Sequence, residues 1–158
     1  MTNSDPAKKR LPVLLRRAWY GMNQAFRRRI AKSGLTPDQF TLLRTLEESG
    51  KEGLTQKDLS DRMSSDPNTI ASLVDRMQRN GLILRQPHES DGRAHRIRLG
   101  DAGRERFDLA KGEAIELQHW ILDHLAEEDR DSFLTNLKTI ADACREAVEQ
   151  SPGKKKKL

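Results

Sequence analysis

Apolar residues recur at three- to four-residue intervals over much of this 158-residue chain, and this spacing predicts long amphipathic helices. The first helix is predicted over residues 7–32, from the positions Leu15, Ala18, Met22, Phe26 and Ile30. Gly34 is expected to end this helix. A second helix is predicted from Thr36, a capping hydroxyl followed by proline, to about residue 49.

Two shorter helices are predicted in the segment from residue 53 to residue 83. Thr55 is a candidate cap for the first, a break is expected at Ser64 and Ser65, and Asp66 and Pro67 precede the second. The second has apolar residues on one side and small, polar and basic residues on the others. Its predicted buried side consists of Ile70, Leu73, Val74 and Met77.

The pattern then changes from a helical period to alternation. Residues 82–85 are apolar enough for a strand, residues 94–99 alternate between aliphatic and basic side chains, and a turn rich in Pro, Ser, Asp and Gly separates them. This order of two helices and a hairpin predicts a mainly α winged helix-turn-helix fold. In that fold the second helix enters the major groove of DNA, and the hairpin forms the wing.

Two further long helices are predicted after the hairpin, one from Asp101 to about residue 125 and one from Glu127 to about residue 148. Their apolar faces need a covering surface, and a second copy of the chain is the simplest one. We therefore expect residues 1–34 and 101–149 to form a helical dimerisation region and residues 35–100 to form the winged module. Residues 150–158, with four lysines, are expected to be a disordered basic tail.

Composition adds the expected setting and partner. Hydrophobic residues make up 35% of the chain and charged residues 34%, so the core must be lean, which favours apolar faces shared between subunits. A lone cysteine, Cys144, excludes an intramolecular disulfide, and no apolar run is typical of a membrane span or a signal peptide, so we expect a cytoplasmic protein. Residues 76–100 carry six arginines against Glu89 and Asp91, which places positive charge around the predicted wing.

Two segments carry a resemblance to a known family. They are LTQKDLSDRMSSDPNTIASLVDRMQRNGLILR and DGRAHRIRLGDAGR, and together they resemble the MarR family of bacterial transcriptional regulators from about residue 11 to residue 148. The wing hallmark is present as Asp91, Gly92 and Arg93, followed by alternating aliphatics and Gly103. The chain departs from the pattern at Gly100 and Asp101, where the family has Thr and an acid, and we expect Asp101 to cap the following helix.

The resemblance implies a homodimer that binds double-stranded DNA, most often as a repressor. It also implies release from DNA when a small aromatic or phenolic effector binds between the dimer helices and the winged module. A two-fold dimer independently predicts a near-palindromic operator, because its recognition helices would lie in successive major grooves roughly 34–36 Å apart. A winged-helix scaffold for protein interaction, without ligand response, is the alternative.

Candidate DNA contacts can be named on this basis. Base contacts are predicted for the polar side of the recognition helix, where an ordinary solvated face is the alternative; its candidates are Asn68, Thr69, Ser72 and Arg76. Phosphate contacts, with simple capping as the alternative, are predicted for Thr55, Gln56 and Ser65.

In the wing, Arg93 suits a narrow minor groove and Asp91 can orient it or form a salt bridge with it. Arg96 is a further candidate for a phosphate contact.

Other chemistry has little support in the sequence. No spacing indicates a catalytic triad or a phosphate loop, and the single carboxylate–histidine pair Glu116 and His119 falls short of the two pairs that a metal site in a helical bundle needs. We therefore expect a protein that is not an enzyme and has no cofactor. Cys144 lies on an apolar helical face, where inert packing is expected. Four aromatic residues are candidates for an effector crevice, although core packing is the expected role of Trp19, Tyr20, Phe40 and Trp120.

Overall fold

Six helices and one antiparallel pair of strands make up the described part of the chain, residues 10–90, 92 and 95–153, in a computed structural model. The hairpin follows the fourth helix, as predicted, and the fold is the expected winged helix-turn-helix flanked by long helices. The elements in chain order are α1 (Leu11–Arg29), α2 (Pro37–Glu48), α3 (Gln56–Arg62), α4 (Pro67–Arg79), β1 (Ile83–Pro87), β2 (His95–Leu99), α5 (Asp101–Leu122) and α6 (Glu127–Gln150).

Side-chain caps set the starts of the short helices. Thr36 accepts a hydrogen bond from the backbone N–H of Gln39 at 3.3 Å, and the Gln39 side chain accepts one from the Thr36 N–H at 3.0 Å. This capping box satisfies two backbone donors that a helix start leaves unpaired. Asp66 caps α4 by accepting from the N–H groups of Asn68 and Thr69. The predicted starts of both helices are therefore confirmed.

The end of α1 and the start of α5 differ from their predictions. The α-helical part of α1 ends at Arg29, and residues 31–33 form a 3-10 turn that ends at Gly34, whose φ of +72° is left-handed. The tighter turn redirects the chain before the cap of α2. Asp101 is the first residue of α5 and not its cap, because the carbonyl of Gly100 accepts from the N–H of Arg104 at 2.9 Å. A carboxylate in the first turn still interacts favourably with the helix dipole.

The hydrophobic core lies within residues 30–110, between α2, α3, α4, the hairpin and the first part of α5. The predicted inner side of α4 is buried, since Ile70, Leu73, Val74 and Met77 are at most 5% exposed. Phe40 and Phe107 stack with ring centroids 5.1 Å apart and join α2 to α5. Aliphatic residues from each element fill the rest of this core: Ile30, Leu35, Leu42, Leu43, Leu46, Leu54, Leu59, Leu82, Ile83 and Ile97.

The wing is anchored at its base by backbone contacts. Strands β1 and β2 pair from Ile83 opposite Leu99 to Pro87 opposite His95. Leu54, before α3, forms two backbone hydrogen bonds with Ile97, and this isolated antiparallel bridge lies beside β2. A Cβ at Gly103 would overlap the carbonyl oxygen of Leu82, the residue before β1, so only glycine lets α5 pass this close to the base of the wing.

The chain divides into two compact units, one ending at Leu117 and one starting at Gln118. The first contains the core described above. In the second, no described residue of α6 is buried, and its aliphatic and aromatic side chains are partly or largely exposed. None of the described helices is both long enough and apolar enough to cross a membrane.

Candidate DNA interface

Helices α3 and α4 form the helix-turn-helix, with the turn at residues 63–66. Ser64 adopts a left-handed backbone with φ of +50°, which a short polar residue tolerates in a tight turn. Because Ile70, Leu73, Val74 and Met77 face the core, the opposite side of α4 is solvent-exposed. The exposed residues include all four predicted base-contacting positions, Asn68, Thr69, Ser72 and Arg76.

The three predicted phosphate-contacting residues occupy the start of α3 and the turn. Thr55 is the cap of α3: its hydroxyl donates to Asp58 Oδ2 at 2.8 Å and accepts from the Asp58 N–H at 3.2 Å. The hydroxyl and the backbone N–H of Thr55 both donate to Asp58 Oδ2, and these two hydrogen bonds hold the pKa of Asp58 below its ordinary value. Ser65 donates to the carbonyl of Met63. Capping is thus observed for Thr55, while its contact with phosphate stays a prediction.

The wing candidates have different outcomes. Asp91 and Arg93 lie outside the described residues. Arg96 lies on β2, and its guanidinium Nε lies 2.9 Å from Glu89 Oε2 and 3.1 Å from Glu89 Oε1. This hydrogen-bonded pair lowers the pKa of Glu89 and raises that of Arg96. To contact DNA, the Arg96 guanidinium would therefore have to bind a phosphate together with Glu89 or break its hydrogen bonds with Glu89.

Arg85 on β1 is a residue of this surface that the sequence did not single out. Its Nη2 donates to Asp75 Oδ1 of α4 at 2.8 Å and to Gln56 Oε1 of α3 at 3.2 Å. Its side chain is only 21% exposed. Nothing in the local pattern indicated this role, because the partners are 10 and 29 residues away in the sequence.

An open cleft borders α4 within the first unit. It lies between the end of α1, the start of α2 and the second half of α4, and its volume is about 470 Å³. In the described residues, none of its three arginines has a carboxylate within 4 Å. Most of the side chains that line the cleft are polar, and three are cationic: Arg27, Thr36, Asp38, Gln39, Leu73, Arg76, Arg79 and Asn80.

The four aromatic candidates separate into two groups. Phe40 is buried, as expected for core packing. The same expectation is wrong for Trp19, Tyr20 and Trp120, which are 58%, 66% and 58% exposed. Trp19 and Tyr20 lie on α1, and Trp120 lies on α5 with its ring edge-to-face against that of His124. Cys144 is also exposed on α6. Over the described ranges, no group of three or more His, Cys, Asp or Glu side chains converges.

A small polar and basic helix face, presented by a helix-turn-helix with an adjoining hairpin, defines the class of winged-helix DNA-binding proteins. The sequence model of the MarR family matches residues 35–95, which covers α2 through the start of β2. Residues 35–95 are therefore a MarR-family region, and the chain is similar to transcriptional regulators of that family.

Relatives agree with this assignment. The chain is 31% identical over 100 residues to the HTH-type transcriptional repressor MdtR of Bacillus subtilis, a match that covers 62% of each chain. It is similar to the PcaV transcriptional regulator from Streptomyces coelicolor in complex with its natural ligand, with a TM-score of 0.79 and 26% identity over 91% of this chain and 99% of that one.

A third relative was solved on DNA. The transcriptional repressor CouR bound to a 23-mer duplex has a TM-score of 0.77 and 27% identity, and the match covers 89% of this chain and 99% of that one. CouR from Rhodococcus jostii RHA1 has also been solved with p-coumaroyl-CoA. The family and these relatives are regulators and not enzymes.

Proposed function

We propose that the chain is a homodimeric repressor that binds a near-palindromic operator and leaves it when a small aromatic effector binds. The observation that carries this proposal is the exposed side of α4, which bears Asn68, Thr69, Ser72 and Arg76 above a fully packed inner side. Asparagine can pair with adenine and arginine with guanine at the major-groove edge. We therefore propose that α4 is the recognition helix.

The flanking residues would fix its register on the duplex. We propose phosphate contacts by Thr55, Gln56 and Ser65, which lie at the start of α3 and in the turn before α4. The wing would contact the neighbouring minor groove or backbone through Arg93, with Asp91 orienting it, and Arg96 would contact a phosphate in place of, or together with, Glu89. The relative CouR, solved on a 23-mer DNA duplex, supports binding to double-stranded DNA.

Dimer formation would cover apolar side chains that are exposed in the single chain. Exposed aromatic and aliphatic side chains grouped along one helix are typical of a protein interface. We propose that residues 1–34 and 101–149 form the dimerisation region and that residues 35–100 form the DNA-binding module. The side chains to be covered lie on α1, α5 and α6: Leu11, Val13, Leu14, Trp19, Tyr20, Met22, Leu109, Ile115, Trp120, Phe133, Leu134, Leu137, Ile140 and Val148.

An effector site is supported by the cleft beside α4 and by the ligand-bound relatives. The cleft is open and lined mostly by polar side chains, so it is the location to test first for such a site. PcaV has been solved with its natural ligand and CouR with p-coumaroyl-CoA, which supports an aromatic acid or its thioester as the class to test first.

Selection of duplexes from a random library by the purified chain tests the DNA-binding part. We expect recovered sequences with two inverted half-sites about one helical turn apart, and affinity that falls steeply with salt because phosphate contacts release counterions. Size-exclusion chromatography with light scattering should report a dimer. A monomer that binds no duplex at low salt would overturn the proposal and favour the protein-interaction scaffold.

Effector release is tested separately on the selected duplex. Fluorescence anisotropy of the protein–DNA complex is followed while a panel of benzoates, hydroxycinnamates and their uncharged amides is added. We expect at least one aromatic acid to release the duplex, and the amides serve as the matched neutral control. If no compound changes the anisotropy, the ligand-released repressor is wrong even where DNA binding holds.

A further inference from the structure

The guanidinium of Arg85 joins three elements of the DNA-binding half. It extends from β1 and donates through the same nitrogen to Asp75 on α4 and to Gln56 at the start of α3. The Nε of Arg85 is buried and has no hydrogen-bond partner in the described residues. An unpaired buried N–H is costly. The two hydrogen bonds of Nη2 therefore offset the free-energy cost of burying the unpaired Nε–H and hold the side chain in this position.

Asp75 is an acidic residue on the side of α4 that we propose faces DNA. It follows Ser72 by three residues and precedes Arg79 by four, so it lies on the same helical face. Its side chain is 58% exposed. An uncompensated carboxylate in this position would repel the phosphates of an approaching duplex, and the ion pair with Arg85 cancels that charge.

The contact with Gln56 also fixes the orientation of an amide. Arg85 can only donate hydrogen bonds, so the atom it meets must be the Gln56 carbonyl oxygen. The amide nitrogen of Gln56 is consequently directed away from Arg85. A donor held in this way at the start of α3 suits a phosphate oxygen, which accepts hydrogen bonds only.

We propose that Arg85 is a positioning residue for DNA recognition, which neutralises Asp75 on the DNA-facing side of α4 and orients the Gln56 amide toward the phosphate backbone. The proposal rests on the proposed DNA-binding function. It assigns Arg85 an effect on DNA affinity without a direct contact with DNA.

The test compares variants by fluorescence anisotropy on the duplex selected by the wild-type chain, at about 50 mM and about 300 mM salt. We expect Arg85→Gln to lose about tenfold in affinity at the lower salt, and we expect this deficit to shrink at the higher salt because salt screens the exposed Asp75 charge. Asp75→Asn added to Arg85→Gln should recover most of the affinity. Arg104→Gln is the matched control, since it removes one arginine from an ion pair with Glu47 at 2.9 Å on α2.

A structural effect alone would give a different result. If Arg85→Gln weakened binding only by disturbing the fold, the whole deficit would persist at high salt and Asp75→Asn would recover none of it, and that result overturns the proposal. Unchanged affinity of Arg85→Gln overturns it as well. A wild-type chain that binds no duplex overturns the proposed function itself and is recognised before any variant is compared.

A second variant keeps the test independent of the folding of Arg85→Gln. Asp75→Asn alone retains Arg85 and removes the acid, so the DNA-facing side gains net positive charge. We expect it to bind DNA at least as tightly as the wild type, with a steeper dependence on salt. Weaker binding by this variant would show that Asp75 assists recognition directly and would overturn the proposal.

Discussion

Gly103→Ala is expected to destabilise the chain although alanine is the better helix former. In the first turn of α5, a Cβ at this position would contact the carbonyl oxygen of Leu82 and lie 3.2 Å from a methyl carbon of Leu43. The Leu82 carbonyl cannot move away easily, because it accepts a hydrogen bond from the Gly100 N–H at 2.9 Å. The base of the wing would have to shift.

The magnitude follows from two opposing terms. Alanine in place of a helical glycine stabilises by about 1 kcal/mol through propensity. Overpacking against a fixed neighbour costs about 1–3 kcal/mol, and a clash with backbone belongs at the upper end of that range. The net expectation for Gly103→Ala is a loss of about 1–2 kcal/mol, or roughly 2–8 °C in Tm for a chain of this length.

Gly112→Ala is the matched control, because Gly112 is in the same helix and a Cβ there meets nothing within 4 Å. This control should raise the free energy of unfolding by about 0.5–1 kcal/mol. Both variants and the wild type are unfolded with urea and by heat at one protein concentration, since dimerisation would make Tm depend on concentration. A Gly103→Ala variant as stable as Gly112→Ala would refute the close approach of α5 to β1.

The remaining predictions concern a cap and two arginines. Thr55→Ala should lower the free energy of unfolding by about 1 kcal/mol at neutral pH. Because the pKa of Asp58 is lowered in the folded chain, the stability that the Thr55–Asp58 contact contributes is present above the ordinary pKa of 3.8 and is lost as pH falls through the folded value. The difference between variant and wild type in urea unfolding should therefore shrink at acid pH, and a constant difference would contradict this coupling. Arg93→Ala should weaken operator binding by about 1–3 kcal/mol in a gel-shift titration, and unchanged affinity would argue against the wing contact. Arg76→Ala should change the preference among operator variants, whereas equal weakening on every sequence would make Arg76 a phosphate contact.

Much of the helix-turn-helix could be predicted from the sequence because its signals are local. Thr36, Asp66 and Gly34 act on backbone groups within a few residues, and the inner side of α4 repeats with the period of the helix. Once the inner side of α4 was assigned to the core, the exposed positions Asn68, Thr69, Ser72 and Arg76 could be predicted as the candidate DNA contacts. The end of α1 was less predictable, because its 3-10 turn depends on how the chain enters α2.

The features that needed the tertiary structure join residues far apart along the chain. The sequence by itself determined the elements, their order and the exposed side of the recognition helix, since hydrogen bonding and burial within one helix depend on neighbours three or four positions away. Only the folded chain decided that Arg85 meets Asp75 and Gln56, that Leu54 pairs with Ile97, and that α5 passes close to β1 at a glycine. These contacts depend on how whole helices and strands pack, and no periodicity in a single element encodes that packing.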